Sequence, residues 1–351
     1  MPYQHLAEHL ADPSRTLPVV CLPDGSVDTL CRVYDGGHEQ IESRESFGRR
    51  VSTGDIRSVR LEKYDRVPGG QAVNAARQAH ALGDAVTLFG HLDHPLLSFP
   101  FETHSMGAPA EVTVLSFDRT DLMFSRESSS IDGWSFGCLH EGDAPFRNRI
   151  ERAGAVCLAN WVTFRDLTAA MRTLATYDLD CPVVLDPGDL GGSDPAAVRR
   201  LRDAMATLDD TTPVVLSANG GELAATAEGL GVTWEALAAR ERELREALDI
   251  AAVVRHDEPA AVAATDERLG GKTATVENFE AHGIRRRTGA GDRFTAGLAH
   301  ALGHGLPIEV AMALGNACAT HFVECGETGT RAALAERLEE RSLPDGASDS
   351  H

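Results

Sequence analysis

Thr288-Gly289-Ala290-Gly291-Asp292 heads an amphipathic stretch whose apolar positions, Phe294, Leu298 and Leu302, recur at helical spacing before Gly303 or Gly305 closes it. The head of a helix presents unpaired N–H groups and a partial positive charge, and glycines let an anion approach the backbone closely. Gly289, Ala290 and Gly291 therefore read as an anion hole entered through Thr288. Asp292 is the chemically unusual member, because a carboxylate beside a phosphate is repulsive unless it is there to accept a proton. Taken alone, the same aspartate also fits a plain helix cap.

A second stretch, PGGQAVNAARQAHALG, opens a helix at Gly69-Gly70, carries Val73, Ala76 and Leu82 on one side and ends at Gly83. Asn74 stands one turn in, where its amide offers both donor and acceptor to a hydroxyl. Two rival phosphate motifs fail on single residues. A dinucleotide fingerprint needs glycine where Phe294 stands, and a P-loop ending in Gly271-Lys272-Thr273 needs glycine where Asp266 stands. Lys272 lies between two strand-like runs, for which a hairpin turn is the simpler account.

The elements that must position these residues show in the hydrophobic pattern. From about residue 150, short apolar runs alternate with amphipathic stretches, which predicts a parallel sheet covered on both faces. Strands are expected at 183–185 and 214–216, helices at 195–208 and 233–248. Asp186, Asn219 and His256 fall just past strands, so they should face one crevice at the carboxyl ends of the sheet. In the first third the alternation is one-sided (GRRVSTGDIRSVRLEKY, PAEVTVLSFDRTDLMFS), which predicts half-exposed strands forming a small β lid from insertions at about 29–67 and 108–126. Residues 1–16 read as an N-terminal extension, 17–340 as one domain, and 341–351 as a disordered tail.

Taken together, the Gly-Gly-x-x-x-Asn helix start and the Thr-Gly-Ala-Gly-Asp helix start resemble the two signatures of the ribokinase-like (PfkB) carbohydrate kinases, over about residues 17–335. That resemblance implies an α/β three-layer sandwich with a mostly parallel central sheet and a β lid, and a sugar kinase using Mg2+ and a nucleotide donor, ATP or GTP, with ADP open. It implies Asp292 as general base and Asp28, in VVCLPDGSVD, as the substrate aspartate, with Pro23 where a glycine is usual. Gly69, Gly70 and Asn74 would then bind the sugar. SANGGEL is similar to the Asn-x-x-Glu element, which implies Asn219 near the nucleotide and Glu222 on magnesium; LGNACATHFVE makes Asn316 a contact of the base pocket. Two departures stand out. Arg286 replaces an acid, against a monovalent-cation site, and VVRHDEPAAV replaces a Thr-x-Gly turn, so Arg255 and His256 are expected to meet phosphate or base. Arg49, Arg50, Arg57, Arg60 and Arg66 in the lid suggest a phosphorylated sugar such as ribose 1-phosphate; ribose, fructose, 2-keto-3-deoxygluconate or a nucleoside are the other candidates. A homodimer through the lid is also implied. A catalytically silent sensor on the same fold is the alternative, disfavoured by the presence of both Asp292 and Glu222.

Composition narrows the partners further. Among 351 residues, 53 acids face 33 bases for a formal charge of −20, which repels nucleic acid and anionic membranes. Lysine occurs only at Lys63 and Lys272, and an acid-rich, lysine-poor chain resembles proteins of salt-loving organisms. The seven cysteines are scattered, with no C-x-x-C pair, and fit neither a zinc site nor a disulfide framework. With no signal-like or membrane-length apolar run, a cytoplasmic, soluble enzyme is expected.

Overall fold

Strands that alternate side chains between two apolar cores must be covered on both faces, and the middle of this sheet does so residue by residue. Val184, Val215 and Val254 join one core, while their neighbours Val183, Val214 and Val253 join the other. The computed structural model describes residues 1–12, 16–118, 120–140, 145–234 and 236–340; the predicted tail at 341–351 lies outside them.

The chain opens with α1 (Pro2–Ala11), β1 (Pro18–Leu22) and β2 (Ser26–Tyr34), followed by α2 (Arg44–Thr53), β3 (Arg60–Gly69) and α3 (Gln71–Ala81). Next come β4 (Ala85–Gly90), β5 (Glu102–Ser105), β6 (Ala110–Ser116), β7 (Asp121–Arg126) and the short α4 (Ser129–Asp132), α5 (Gly137–His140) and α6 (Phe146–Glu151). Regular alternation follows: β8 (Ala155–Ala159), α7 (Leu167–Leu174), β9 (Val183–Asp186), α8 (Pro195–Asp209), β10 (Val214–Ala218), α9 (Gly220–Leu230), α10 (Arg240–Leu248) and β11 (Ala252–His256). The hairpin β12 (Ala260–Thr265) and β13 (Thr273–Glu277) precedes α11 (Ala290–Gly303), α12 (Ile308–Cys325) and α13 (Arg331–Glu340).

Among the described residues these strands form a nine-stranded sheet in the order β13-β12-β11-β10-β9-β8-β1-β4-β5. It is parallel except at β12, which runs antiparallel to both neighbours. Helices α1, α3, α11 and α12 contribute to the core on one face, α7, α8, α9 and α10 to the core on the other. A four-stranded sheet, β3-β2-β6-β7, forms the lid, with its own small core of Cys31, Val33, Ile41, Leu115 and Phe117.

Two local expectations are corrected. The first part of the stretch read as alternating strand, Gly48 to Thr53, belongs to α2, because Ser43 caps that helix by accepting from Ser46 N, Gly54 closes it in the left-handed region, and Phe47 packs on Phe117; from Arg60 the stretch is strand, as expected. The helix expected at 233–248 begins only at Arg240, after a 3-10 turn at Leu237–Ala239. The N-terminal residues are an integral part of the fold, since Tyr3, Leu6 and Leu10 of α1 are buried in the core with α12 and α13. All seven cysteines are free thiols. Among the described residues, no helix is long and apolar enough to cross a membrane.

Candidate active site

The start of α11 lies between two cavities, one of about 420 Å3 under the lid and one of about 280 Å3 beside α12. Gly289 and Asp292 line the first, Ala290 and Gly291 the second. Backbone crowding explains the glycines. Gly289 has φ 97°, and a Cβ there would lie 2.6 Å from Arg293 Nη1; a Cβ on Gly291 would lie 3.1 Å from His256 Cε1. Arg293 is itself buried, donating to Gly289 O at 2.8 Å and stacking over Phe322 at 3.8 Å, so it fixes the turn from beneath.

Asp292 is buried in the first turn of α11, and its Oδ2 accepts from Asn74 Nδ2 at 2.7 Å. The Asn74 carbonyl oxygen is buried in the same cavity wall without a protein partner. Burial pushes the Asp292 carboxyl above the usual carboxylate range, and Arg293 and the Asn74 bond pull it back. Asp28, at the start of β2, lines the same cavity, accepts from Ser26 Oγ at 2.6 Å and faces Arg286 at 3.7 Å. The glycines ahead of α3 make room for it. A Cβ on Gly69 would lie 2.2 Å from Asp28 Oδ1, and Gly70, at φ 98°, would meet Gly25 Cα at 2.9 Å.

Glu222 enters the first cavity from the start of α9, where it also closes a capping box: its Oε2 accepts from Asn219 N at 2.9 Å. Burial, augmented by the nearby Asp189 and Asp292 charges, pushes it up to about 7. Asp186, at the end of β9, is buried and raised for the same reasons, burial first and then Glu222 and Asp292. Carboxylates crowded this way offer the hard oxygen donors Mg2+ takes and carry charge that a divalent cation would relieve.

The second cavity joins apolar walls, Phe279, Phe294, Ile284 and Val323, to the polar groups of Asn278, Asn316 and His256. Burial pushes His256 down to about 4, and its Nε2 is buried with no protein partner. Asn316 borders this cavity while donating to Tyr3 Oη at 3.2 Å and Val276 O at 3.3 Å, which ties α12 to α1 and β13.

The structure does not bring every expected residue to the cavities. Arg255 points away from His256 by strand alternation, and its guanidinium pairs with Glu241 and Asp257. Asn219 lines neither cavity; its side chain caps α9 through Gly221 N and Glu222 N. Nor do Arg49, Arg50, Arg57, Arg60 or Arg66 line either. Arg50 pairs with Asp35, and Arg60 stacks over Tyr34 on the outer lid. Thr288 donates to Asp121 of β7, so its side chain links the anion-hole turn to the lid.

Sequence reasoning missed Asp24, whose carboxylate accepts from Gln71 N at 2.9 Å, Ala72 N at 2.7 Å and Asn160 Nδ2 at 3.1 Å, and so caps α3 from the first cavity. An acid directly after the first strand, in PDGS, was its one available signal. Arg293 was also missed, although it adjoins Asp292 in the motif.

A mostly parallel sheet under a β lid, with a cavity on either side of a glycine-bearing helix start, defines a ribokinase-like fold. The Arabidopsis thaliana ribokinase solved with ribose and ATP superposes with a TM-score of 0.60 at 16% identity, covering 93% of this chain and 99% of that one. The adenosine kinase of Sinorhizobium meliloti does so with a TM-score of 0.63 at 16% identity, covering 93% of this chain. The model of the prokaryotic ketohexokinase family matches residues 23–341, and the chain belongs to that family. A ketohexokinase of Haloferax volcanii is 28% identical over 318 residues, 84% of this chain and 82% of that protein. The chain is therefore a carbohydrate kinase, a phosphotransferase with an alcohol acceptor.

Proposed function

We propose that this enzyme transfers the terminal phosphoryl group of ATP to a hydroxyl of a ketohexose, fructose being the simplest candidate, with Asp292 as general base. The observation that carries the reading is the placement of Gly289, Ala290, Gly291 and Asp292 between the two cavities: Ala290 N–H is spent on Arg287 O at 3.0 Å, the N–H groups of Gly289 and Gly291 can hold the transferring phosphoryl group, and the carboxylate faces the lid-side cavity. The sugar hydroxyl gives its proton to Asp292, its oxygen forms the new P–O bond, and the old bond breaks to release the nucleoside diphosphate. Asp28 and the unpartnered Asn74 oxygen accept hydrogen bonds from the sugar hydroxyls. Phe279, Phe294 and Asn316 suit a purine base, with His256 on its phosphate side. Glu222 is the residue that would hold Mg2+, whose charge neutralises the phosphates when bound.

Ketohexose is preferred to a sugar phosphate because the family and the Haloferax relative bear that name and because the lid arginines lie away from the cavity. The exposed Leu61, Tyr64 and Phe124 on the lid support its use as a dimer surface. Replacing Asp292 by Asn keeps size and the Asn74 contact region while removing the base. Turnover should fall by about two to four decades with fructose binding little changed. An unchanged rate would reduce Asp292 to a structural residue of the helix start.

A further inference from the structure

At the far end of α11, one helix length from Asp292, His300 and His304 stand four residues apart and meet His9 of α1. One ring nitrogen of each lies within 4.8 Å of the others, and His9 Nε2 is 3.0 Å from His300 Nε2. Two nitrogens on one tetrahedral zinc, at bonds of about 2.0 Å, sit about 3.3 Å apart, so the pair needs little adjustment to share an ion. His300 is buried, and its Nδ1 is held by the buried Asp84 carboxylate at 2.8 Å, which turns Nε2 toward His9. A carboxylate behind a histidine in this way is the outer-shell arrangement that fixes the ring and raises its basicity as a metal ligand. Among the described residues this is the group in which three histidine, cysteine or carboxylate ligand atoms lie within 4.8 Å of one another.

We propose that His9, His300 and His304 bind one Zn2+ ion, with water in the fourth position, as a staple between the N-terminal helix and the base-bearing helix. Imidazole sets select borderline metals over Mg2+, so this site and the carboxylate site at Glu222 would not compete for the same ion. The other charges around it are Asp12 near His9 and Arg331, whose guanidinium is spent on the carbonyls of His9, Leu10 and Asp12. Without metal, the 3.0 Å contact is a hydrogen bond between the two rings, the alternative the experiment must separate.

The test is titration of tag-free, chelator-stripped protein with Co2+, followed by its visible ligand-field absorption, and displacement by Zn2+. One equivalent should give a four-coordinate spectrum in the parent and in Glu222→Gln. His9→Gln and His304→Gln, both at half-buried positions, should each abolish it, and Asp84→Asn should weaken binding about 10- to 100-fold. Zn2+ at a hundredfold excess over its dissociation constant should raise the parent Tm by about 4 °C and leave the two histidine variants unmoved. No stoichiometric spectrum in the parent, or one that survives in both histidine variants, would overturn the proposal.

Discussion

At Glu222 one side chain serves two purposes, closing the capping box of α9 and presenting a half-buried carboxylate to the lid-side cavity. Its proton is held more tightly in the folded protein, at about 7 against an ordinary 4.5, and Asp24 behaves alike at about 6. A carboxylate raised by folding favours the folded state while protonated and loses that advantage as pH rises from its unfolded to its folded value. Without metal, stability should therefore fall between about pH 4.5 and pH 7, by up to about 3 kcal/mol for Glu222 alone. Glutamine can close the same box without the charge, so Glu222→Gln should flatten this fall and raise the metal-free Tm at pH 8. The same variant should need more Mg2+ for half-maximal rate than the parent while its sugar requirement changes less. Thermal melts across pH and magnesium titrations check both, and parallel curves for the two proteins would remove Glu222 from the metal's surroundings.

At the scale of elements, the junction of β3 with α3 shows why two glycines precede Asn74: the Asp28 side chain occupies the space a Gly69 Cβ would need, at 2.2 Å. Gly69→Ala must displace Asp28 from its Ser26 bond, so the fructose KM should rise about tenfold or more while stability falls by about 1–3 kcal/mol. An unchanged KM, measured at saturating ATP, would show that Asp28 does not touch the sugar. The same elements show what could be read in advance. The buried strands β9 and β10 and the glycine-bearing starts of α3 and α11 were legible, because double-sided burial and left-handed turns leave local marks in the sequence. Helix α2 was misread although Ser43 and Gly54 mark its ends, since the contact that packs it, Phe47 on Phe117, joins residues seventy apart in the chain. Arg255 was assigned to the nucleotide beside His256, but neighbours on a strand face opposite ways and the acids Glu241 and Asp257 claim it. The Asp24 cap of α3 links residues 47 and 48 apart, so the acid in PDGS marks the residue but not its partner.

For the whole molecule, the −20 charge and the choice of acceptor are the two features that reach beyond the site. With only two lysines among its 33 basic residues, the surface is dominated by carboxylates whose mutual repulsion weakens the compact state when counterions are scarce. Melting followed by circular dichroism should show Tm rising steadily from dilute buffer toward molar salt, and a salt-independent curve would contradict that reading. Enzyme assays belong at the high-salt end for the same reason. The most direct test of the central claim is the initial rate of nucleoside diphosphate release, in high salt with ATP and Mg2+, across fructose, ribose, 2-keto-3-deoxygluconate, ribose 1-phosphate and adenosine. The account predicts the highest kcat/KM for fructose, with one phosphate appearing on the sugar per diphosphate released. Preferred turnover of ribose 1-phosphate or adenosine, with fructose at background, would contradict it.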